Sequence, residues 1–284
     1  MAWSTITALL HHSQEAYAAG LRRRVYAGRV PTVLFVRHGR SSANTAGLLA
    51  GWAPGVFLDE TGEAQASRVG ASIAAAGLQV VELVSSPLDR CLQTADLIAR
   101  ELDSLPRSVH PGLGECHYGA WTGRSIRDLV SEPLWEVVQD RPSEARFPPS
   151  EAYSSESIAD VQDRALRAVR ETDAHVLERH GPEAVWVAVS HGDVIKAVLA
   201  HAAGAHLDDF QRFVVDPGSV SVVRYTSRRP FLLRLNDVGG DLSPLRPTTA
   251  PGRDGDAEIG GGAGAPSAAG VGGDDASGEA REVG

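Results

Sequence analysis

Short apolar runs alternate along this chain with longer stretches whose apolar residues recur every third or fourth position, which predicts a sheet interleaved with helices. Val33-Leu34-Phe35-Val36 and residues 184–189 are apolar on successive positions, as strands covered on both faces must be. Residues 80–84 predict a further short strand. Ala66, Val69, Ile73 and Ala76 fall on one helical face that ends at Gly77. Ser86 is placed to cap the next helix, with Pro87 at its first position and Leu88, Leu92, Ala95 and Ile98 as its inner stripe. A long helix starts at Ser157, where Ser157 and Asp160 make a capping-box pattern, and stops at Gly181-Pro182. Asp193 is placed to cap a further helix whose inward residues are Ile195, Val198, Leu199 and Ala202. Residues 220–223 and 231–233 predict two last strands, an antiparallel pair at the edge of the sheet. The fold class is therefore α/β, with helices on both faces of one sheet and no internal repeat.

The pattern covers residues 31–250, long enough for one large domain with a full core. Residues 1–30 read as an N-terminal extension of net +3, from Arg22, Arg23, Arg24 and Arg29 against Glu15. No apolar region follows those arginines, so neither a secretory nor a twin-arginine signal fits. Residues 251–284 are rich in Gly, Ala, Asp and Ser and hold too little apolar surface to order themselves, so a disordered tail is expected. The chain carries a net charge of −9, which argues against nucleic acid as a partner but not against a phosphorylated small molecule held by a few arginines. No apolar stretch reaches the length of a membrane span. Cys91 and Cys116 cannot make a disulfide framework, and a cytoplasmic location is expected. The single lysine, Lys196, among 27 basic residues looks like a bacterial coding bias rather than a functional demand. The oligomeric state is left open by the sequence.

Chemistry gathers at the strand ends. Arg37-His38-Gly39 directly follows one buried run, Ser190-His191-Gly192 follows another, and Arg90 lies one turn beyond a third in Ser85-Ser86-Pro87-Leu88-Asp89-Arg90. In open α/β sheets the carboxyl ends of the strands are where ligands bind. Glu115 adds a carboxyl from the Gly-rich stretch 113–119. This set suits phosphoryl transfer: guanidinium groups grip phosphate oxygens, a neutral imidazole attacks phosphorus, and a protonated carboxyl supplies the leaving oxygen with a proton. No metal or other cofactor is needed. Taken singly, Arg90 could be a snorkelling helix residue, Asn44 the cap of a turn, and Glu115 a solvated carboxylate. The remaining histidines lack ligand-like spacing.

Arg37-His38-Gly39, the Ser-Ser-Pro-x-x-Arg segment followed by Gln93-Thr94, the Glu-x-x-Tyr-Gly segment at Glu115 and Ser190-His191-Gly192 together resemble the histidine phosphatase superfamily, which includes phosphoglycerate mutases. The whole chain also resembles a bacterial subgroup assigned as phosphomutases. The resemblance implies a three-layer α/β/α sandwich with a mostly parallel sheet. It implies His38 as the phosphorylated nucleophile, Arg37, Arg90 and His191 around the transferring group, Asn44 assisting them, Glu115 as proton donor, and Gly192 allowing close backbone approach. The chain departs from the mutases at Cys116, where they carry a substrate-holding arginine, and at Ala50, where they carry a serine. Their long basic insert is not recognisable in residues 124–155, which read instead as a lid. The expected activity is hydrolysis of a small phosphorylated metabolite through a phosphohistidine, with phosphomutase or protein phosphohistidine phosphatase as the alternatives.

Overall fold

The computed structural model describes residues 29–103, 105–226, 228–240 and 259–262. Six strands form one mixed, mostly parallel sheet: β1 (Arg29–Arg37), β2 (Val80–Ser85), β3 (Arg107–Val109), β4 (Val185–Ser190), β5 (Val220–Thr226) and β6 (Phe231–Asp237). Their order across the sheet is β3-β2-β4-β1-β5-β6, with β5 antiparallel to both of its neighbours. The helices are α1 (Ser42–Ala46), α2 (Glu60–Ala75), α3 (Asp89–Glu101), α4 (Ile126–Leu129), α5 (Pro133–Asp140), α6 (Ile158–His180) and α7 (Gly192–Ala203).

Strand periodicity divides the core in two. Val33 and Phe35 of β1, with Trp186 and Ala188 of β4, face α6 and α7. Leu34 and Val36, with Val187 and Val189, face α2 and α3. Because successive side chains point to opposite faces, a sheet covered on both sides must be apolar at every position. The central strands meet that demand and so read as continuous runs. The three layers expected from the resemblance are present.

Two N-caps differ from the sequence expectation. Helix α3 begins only at Asp89, after a Leu88 that makes no side-chain cap, and the hydroxyl of Ser86 accepts from the Leu88 amide at 3.3 Å while bonding His191 at 2.7 Å. Helix α7 is entered from His191, and Asp193 sits buried inside its first turn. The capping box of Ser157 and Asp160 is formed. At the termini, Arg29 and Val30 belong to β1 rather than to an extension, and residues 1–28 lie outside the described residues. Of the tail expected to be disordered, Ile259 to Gly262 are described, and they pack into the molecule with Ile259 wholly buried. The rest of that tail lies outside the described residues. One isoleucine among glycines gives no pattern to read, yet a single pocket suffices to hold it. Of the segment expected as a lid, Ile126 lines the central crevice, whereas Trp135, Val138, Ala145 and Phe147 are buried in the main core.

Candidate active site

Parallel pairing brings three strand ends together. Arg37 is in register with Ser190, and Ser85 with Val189, so the residues that follow, His38, Ser86 and His191, leave the sheet side by side. The His38 amide donates to Ser190 O at 3.0 Å and the Ser86 amide to Val189 O at 2.9 Å, which continues the ladder one residue beyond the strands. Close packing then constrains the loop after β1. A Cβ on Gly39 would lie 2.2 Å from the carbonyl oxygen of Gly62, and one on Gly62 would lie 2.0 Å from that of Arg40. The backbone leaving the sheet at His38 can turn against α2 only because both positions are glycine.

His38 is buried, and its ring is fixed from both ends. Nδ1 lies 2.7 Å from the carbonyl oxygen of Gly39, an acceptor only, so Nδ1 carries the proton. Arg90 Nε donates to Nε2 at 3.3 Å, which makes Nε2 the lone-pair nitrogen of a ring that lines the crevice, its lone pair held by the guanidinium. Burial above all, then the charges of Arg90 and Arg37, holds the pKa of His38 well below its usual value, so the ring is neutral at physiological pH. His191 stands beside it with ring centroids 5.2 Å apart. Its Nε2 is 2.7 Å from Ser86 Oγ and its Nδ1 is 3.7 Å from Glu115 Oε2. Burial and Arg90 likewise lower its pKa well below the usual value.

Glu115 reaches the same crevice from the loop after the short helix at Pro111–Leu113. The loop is clamped from outside by Arg164 of α6, whose guanidinium donates to the carbonyl oxygens of Gly112, Gly114 and Glu115 at 2.9, 2.7 and 2.9 Å. The same guanidinium pairs with Glu156 at 2.7 Å. Trp52 Nε1 donates to Glu115 O at 2.5 Å, and the indole passes so close that a Cβ on Gly114 would meet it at 2.4 Å. The Glu115 side chain is buried and accepts from the Cys116 amide at 2.9 Å. Burial first, and the nearby charge of Asp193 second, push its pKa up to about 7. A carboxyl of that pKa is largely protonated just below neutrality and can give or take a proton.

The Asn44 amide is oriented by its own helix. Ser41 N and Ser41 Oγ both donate to Oδ1, at 3.0 and 2.8 Å, which turns Nδ2 toward the crevice. Here the cap of a turn and an inward-pointing donor are the same residue. Gly192 opens α7 and is buried, without lining the crevice. Cys116 also stays behind the wall, in the main apolar core. Arg37 Nη1 is tied to Val215 O at 2.8 Å, while Nη2 donates to Gly260 O at 3.2 Å and Gly262 O at 2.7 Å.

The sequence profile of the histidine phosphatase superfamily (branch 1) matches residues 33–238. The chain belongs to this superfamily. Among its curated relatives is a phosphoglycerate mutase of Candida albicans, 29% identical over 239 residues that span 77% of this chain and 91% of that one. A 2,3-bisphosphoglycerate-dependent phosphoglycerate mutase of Caulobacter vibrioides is 28% identical, covering 68% of this chain and 89% of its own. Among solved structures, the alpha-ribazole phosphatase of Shigella flexneri superposes with a TM-score of 0.60 at 25% identity, covering 73% and 96% of the two chains. This histidine phosphatase superfamily member is thus an enzyme whose relatives are phosphatases and mutases.

Sequence reasoning placed His38, Arg90, Glu115, Asn44, Arg37 and His191 in one neighbourhood, and the structure gathers all six. It missed what holds them. Ser86 fixes the ring of His191, Arg164 fixes the Glu115 loop, and Asp193 accepts from the Tyr118 hydroxyl at 2.7 Å. Ser86 and Asp193 each sit where a local helix cap is expected, which hides their tertiary partners. Arg164 lies mid-helix with no motif around it. Among the described residues, no group of three or more His, Cys, Asp or Glu side chains is arranged to hold a metal ion. No helix among them is long and apolar enough to cross a membrane.

Proposed function

We propose that this histidine phosphatase superfamily member hydrolyses a small phosphomonoester through a phosphohistidine on His38. The observation that carries the proposal is the buried, neutral His38 ring lining the crevice, its Nδ1 proton engaged by Gly39 and its Nε2 lone pair held by Arg90 Nε, which a phosphoryl group would displace onto its own oxygens. Nε2 attacks phosphorus while the bond to the ester oxygen breaks, and Glu115 gives its proton to that departing oxygen. Arg37, Arg90 and His191 surround the transferring oxygens, with Asn44 Nδ2 as a further donor. Charge that develops on those oxygens meets fixed donors in a site shielded from water, where they are worth most. In the second half, water attacks the phosphohistidine, Glu115 takes its proton, and inorganic phosphate leaves. The positive charge that this chemistry needs is supplied by guanidinium groups, so a metal is not required for it.

A mutase is the second reading, and the names of the curated relatives favour it. Mutase chemistry needs further cations to hold a second phosphate. Beyond the phosphoryl pocket the crevice is lined by Leu48, Leu49, Ala50 and Ile126. Three of the four arginines of the neighbouring segment are engaged elsewhere: Arg124 pairs with Glu132 at 2.7 Å, Arg141 lies 3.6 Å from Glu144, and Arg146 pairs with Asp160 at 3.0 Å, while Arg127, exposed on α4, makes no ion pair among the described residues. An apolar subsite of this kind favours a small ester with one phosphate.

The phosphoenzyme is the test. Brief reaction with a labelled phosphomonoester should leave phosphate on the protein that is stable to base and lost in acid, and His38→Ala should abolish it. Base-labile phosphate, or label retained in the variant, would assign the nucleophile elsewhere.

A further inference from the structure

We infer that the segment from Ile259 to Gly262 is an intramolecular ligand of the phosphoryl pocket, a plug that substrate must displace; this rests on the reading of that pocket as phosphate-binding. Two donors of the site make three hydrogen bonds to tail backbone. Arg37 Nη2 donates to the carbonyl oxygens of Gly260 and Gly262 at 3.2 and 2.7 Å, and Asn44 Nδ2 donates to the Gly262 oxygen at 3.0 Å. Two carbonyl oxygens thus stand where the proposed function puts phosphoryl oxygens, on the same two side chains. The chain direction is set by a fourth bond, from the Gly260 amide to Asp193 Oδ2 at 3.1 Å. Ile259 anchors the segment, wholly buried in the apolar cluster that contains Leu49 and Tyr118.

The sequence of the plug suits the task. Gly260 has φ +70°, the left-handed region that costs a residue with a side chain, and a Cβ there would lie 2.8 Å from Leu49 Cδ1. Glycine therefore lets the backbone press against the pocket wall and turn both carbonyls toward Arg37. The carbonyls carry no net charge, so each interaction is weaker than that of a phosphate dianion with the same guanidinium. What compensates is tethering, since a segment on the same chain competes without loss of a free partner's translational freedom. A plug of this kind lowers the affinity for every phosphate ligand by the fraction of molecules left open, and leaves the chemical step unchanged.

Two full-length variants test it. Gly260→Val disfavours the left-handed turn, and Ile259→Asp puts a charge in the apolar anchor; neither touches a side chain assigned to the chemistry. The binding of inorganic phosphate and of vanadate is measured by calorimetry, with p-nitrophenyl phosphate turnover alongside. If the plug is docked nine-tenths of the time, both variants should bind both anions about tenfold more tightly and show KM lowered by the same factor, with kcat unchanged. Equal anion affinity in the parent and both variants would overturn the plug while leaving the phosphatase reading in place. Weaker anion binding in the variants would also overturn it, by making the tail a part of the site. If no form binds either anion or releases p-nitrophenol, the phosphatase reading fails and the plug fails with it.

Discussion

Glu115 illustrates how much chemistry one environment sets. Its carboxyl is pushed up to about 7, by burial first and by Asp193 second, while Arg90 and Arg37 oppose the shift. In the proposed mechanism the acid form of Glu115 gives the proton, so kcat/KM for alkyl phosphates should fall as pH rises through about 7. His38, held well below its usual pKa, places the acid limb well under pH 6.5. Glu115→Gln should remove the alkaline limb and slow alkyl phosphates by roughly a hundred- to ten-thousand-fold, the range for a lost proton transfer. p-Nitrophenyl phosphate, whose leaving group departs as an anion, should lose far less. Equal losses on both esters would make Glu115 a positioning residue. Glu115 could be nominated from the sequence because it lies in a short motif with Tyr118 and Gly119. Its tuning was not legible, because Asp193 and Arg164 come from α7 and α6, and nothing local marks them as neighbours of residue 115.

Elements were legible in proportion to their burial. β1, β2 and β4 are covered on both faces and announce themselves as apolar runs, whereas β3, three exposed residues at the sheet edge, leaves no pattern. The hydroxyl of Ser86 shows the limit of local rules: a serine before a helix predicts a cap, but here it accepts only from the Leu88 amide ahead of the helix and also bonds a buried imidazole that no local pattern announces. A similar long-range pair joins α6 to β4. Asp173 Oδ1 accepts from Trp186 Nε1 at 2.6 Å, with the carboxyl buried against the sheet and its pKa raised by that burial to about 7. A raised carboxyl pKa means that the folded protein keeps a proton which the unfolded chain releases near 3.8. The associated stability is complete below that value and is lost as pH rises through about 7. Asp173→Asn keeps an acceptor for Trp186 and removes the titration. It should therefore be more stable than the parent at pH 8.5 by up to ~4 kcal/mol, taking about three pKa units at 1.36 kcal/mol each, and nearly equal to it at pH 4. Urea unfolding at the two pH values reads this directly, and parallel pH dependences in the two proteins would show that Asp173 stays ionised in the fold.

At the scale of the whole molecule, the question is whether the phosphoryl group on His38 passes to water or back to a turned-round product. The outcome depends on how long a dephosphorylated product is held, and therefore on charge outside the phosphoryl pocket. Mutases of the family were expected to place an arginine beside the acid; here that position is Cys116, buried behind the crevice wall. Of the nearby arginines, 124, 141 and 146 are matched with acidic partners and, among the described residues, only the exposed Arg127 is not; the crevice wall beyond the phosphoryl pocket includes Leu48, Leu49, Ala50 and Ile126. A bisphosphorylated intermediate would have to leave its second phosphate against that apolar wall, where an uncompensated charge is costly. A product without phosphate loses little on leaving, and water then reaches the phosphohistidine. Net release of inorganic phosphate should therefore outrun interconversion of 2- and 3-phosphoglycerate, even with 2,3-bisphosphoglycerate supplied. The two rates are measured in one reaction, by coupled isomerisation and by phosphate release. Isomerisation that is much the faster would make the enzyme a mutase, and would mean that the segment around residues 124–146 moves an arginine into the crevice when substrate binds. Introducing Cys116→Arg does not offer a simple converse, because Cys116 is wholly buried and a guanidinium there would disrupt the core before it reached the substrate. An arginine at Ala50, which lines the crevice, is the better placed: Ala50→Arg should raise the ratio of isomerisation to hydrolysis if lack of charge on that wall is what sets it. An unchanged ratio, with activity retained, would locate the control of transfer in water access instead.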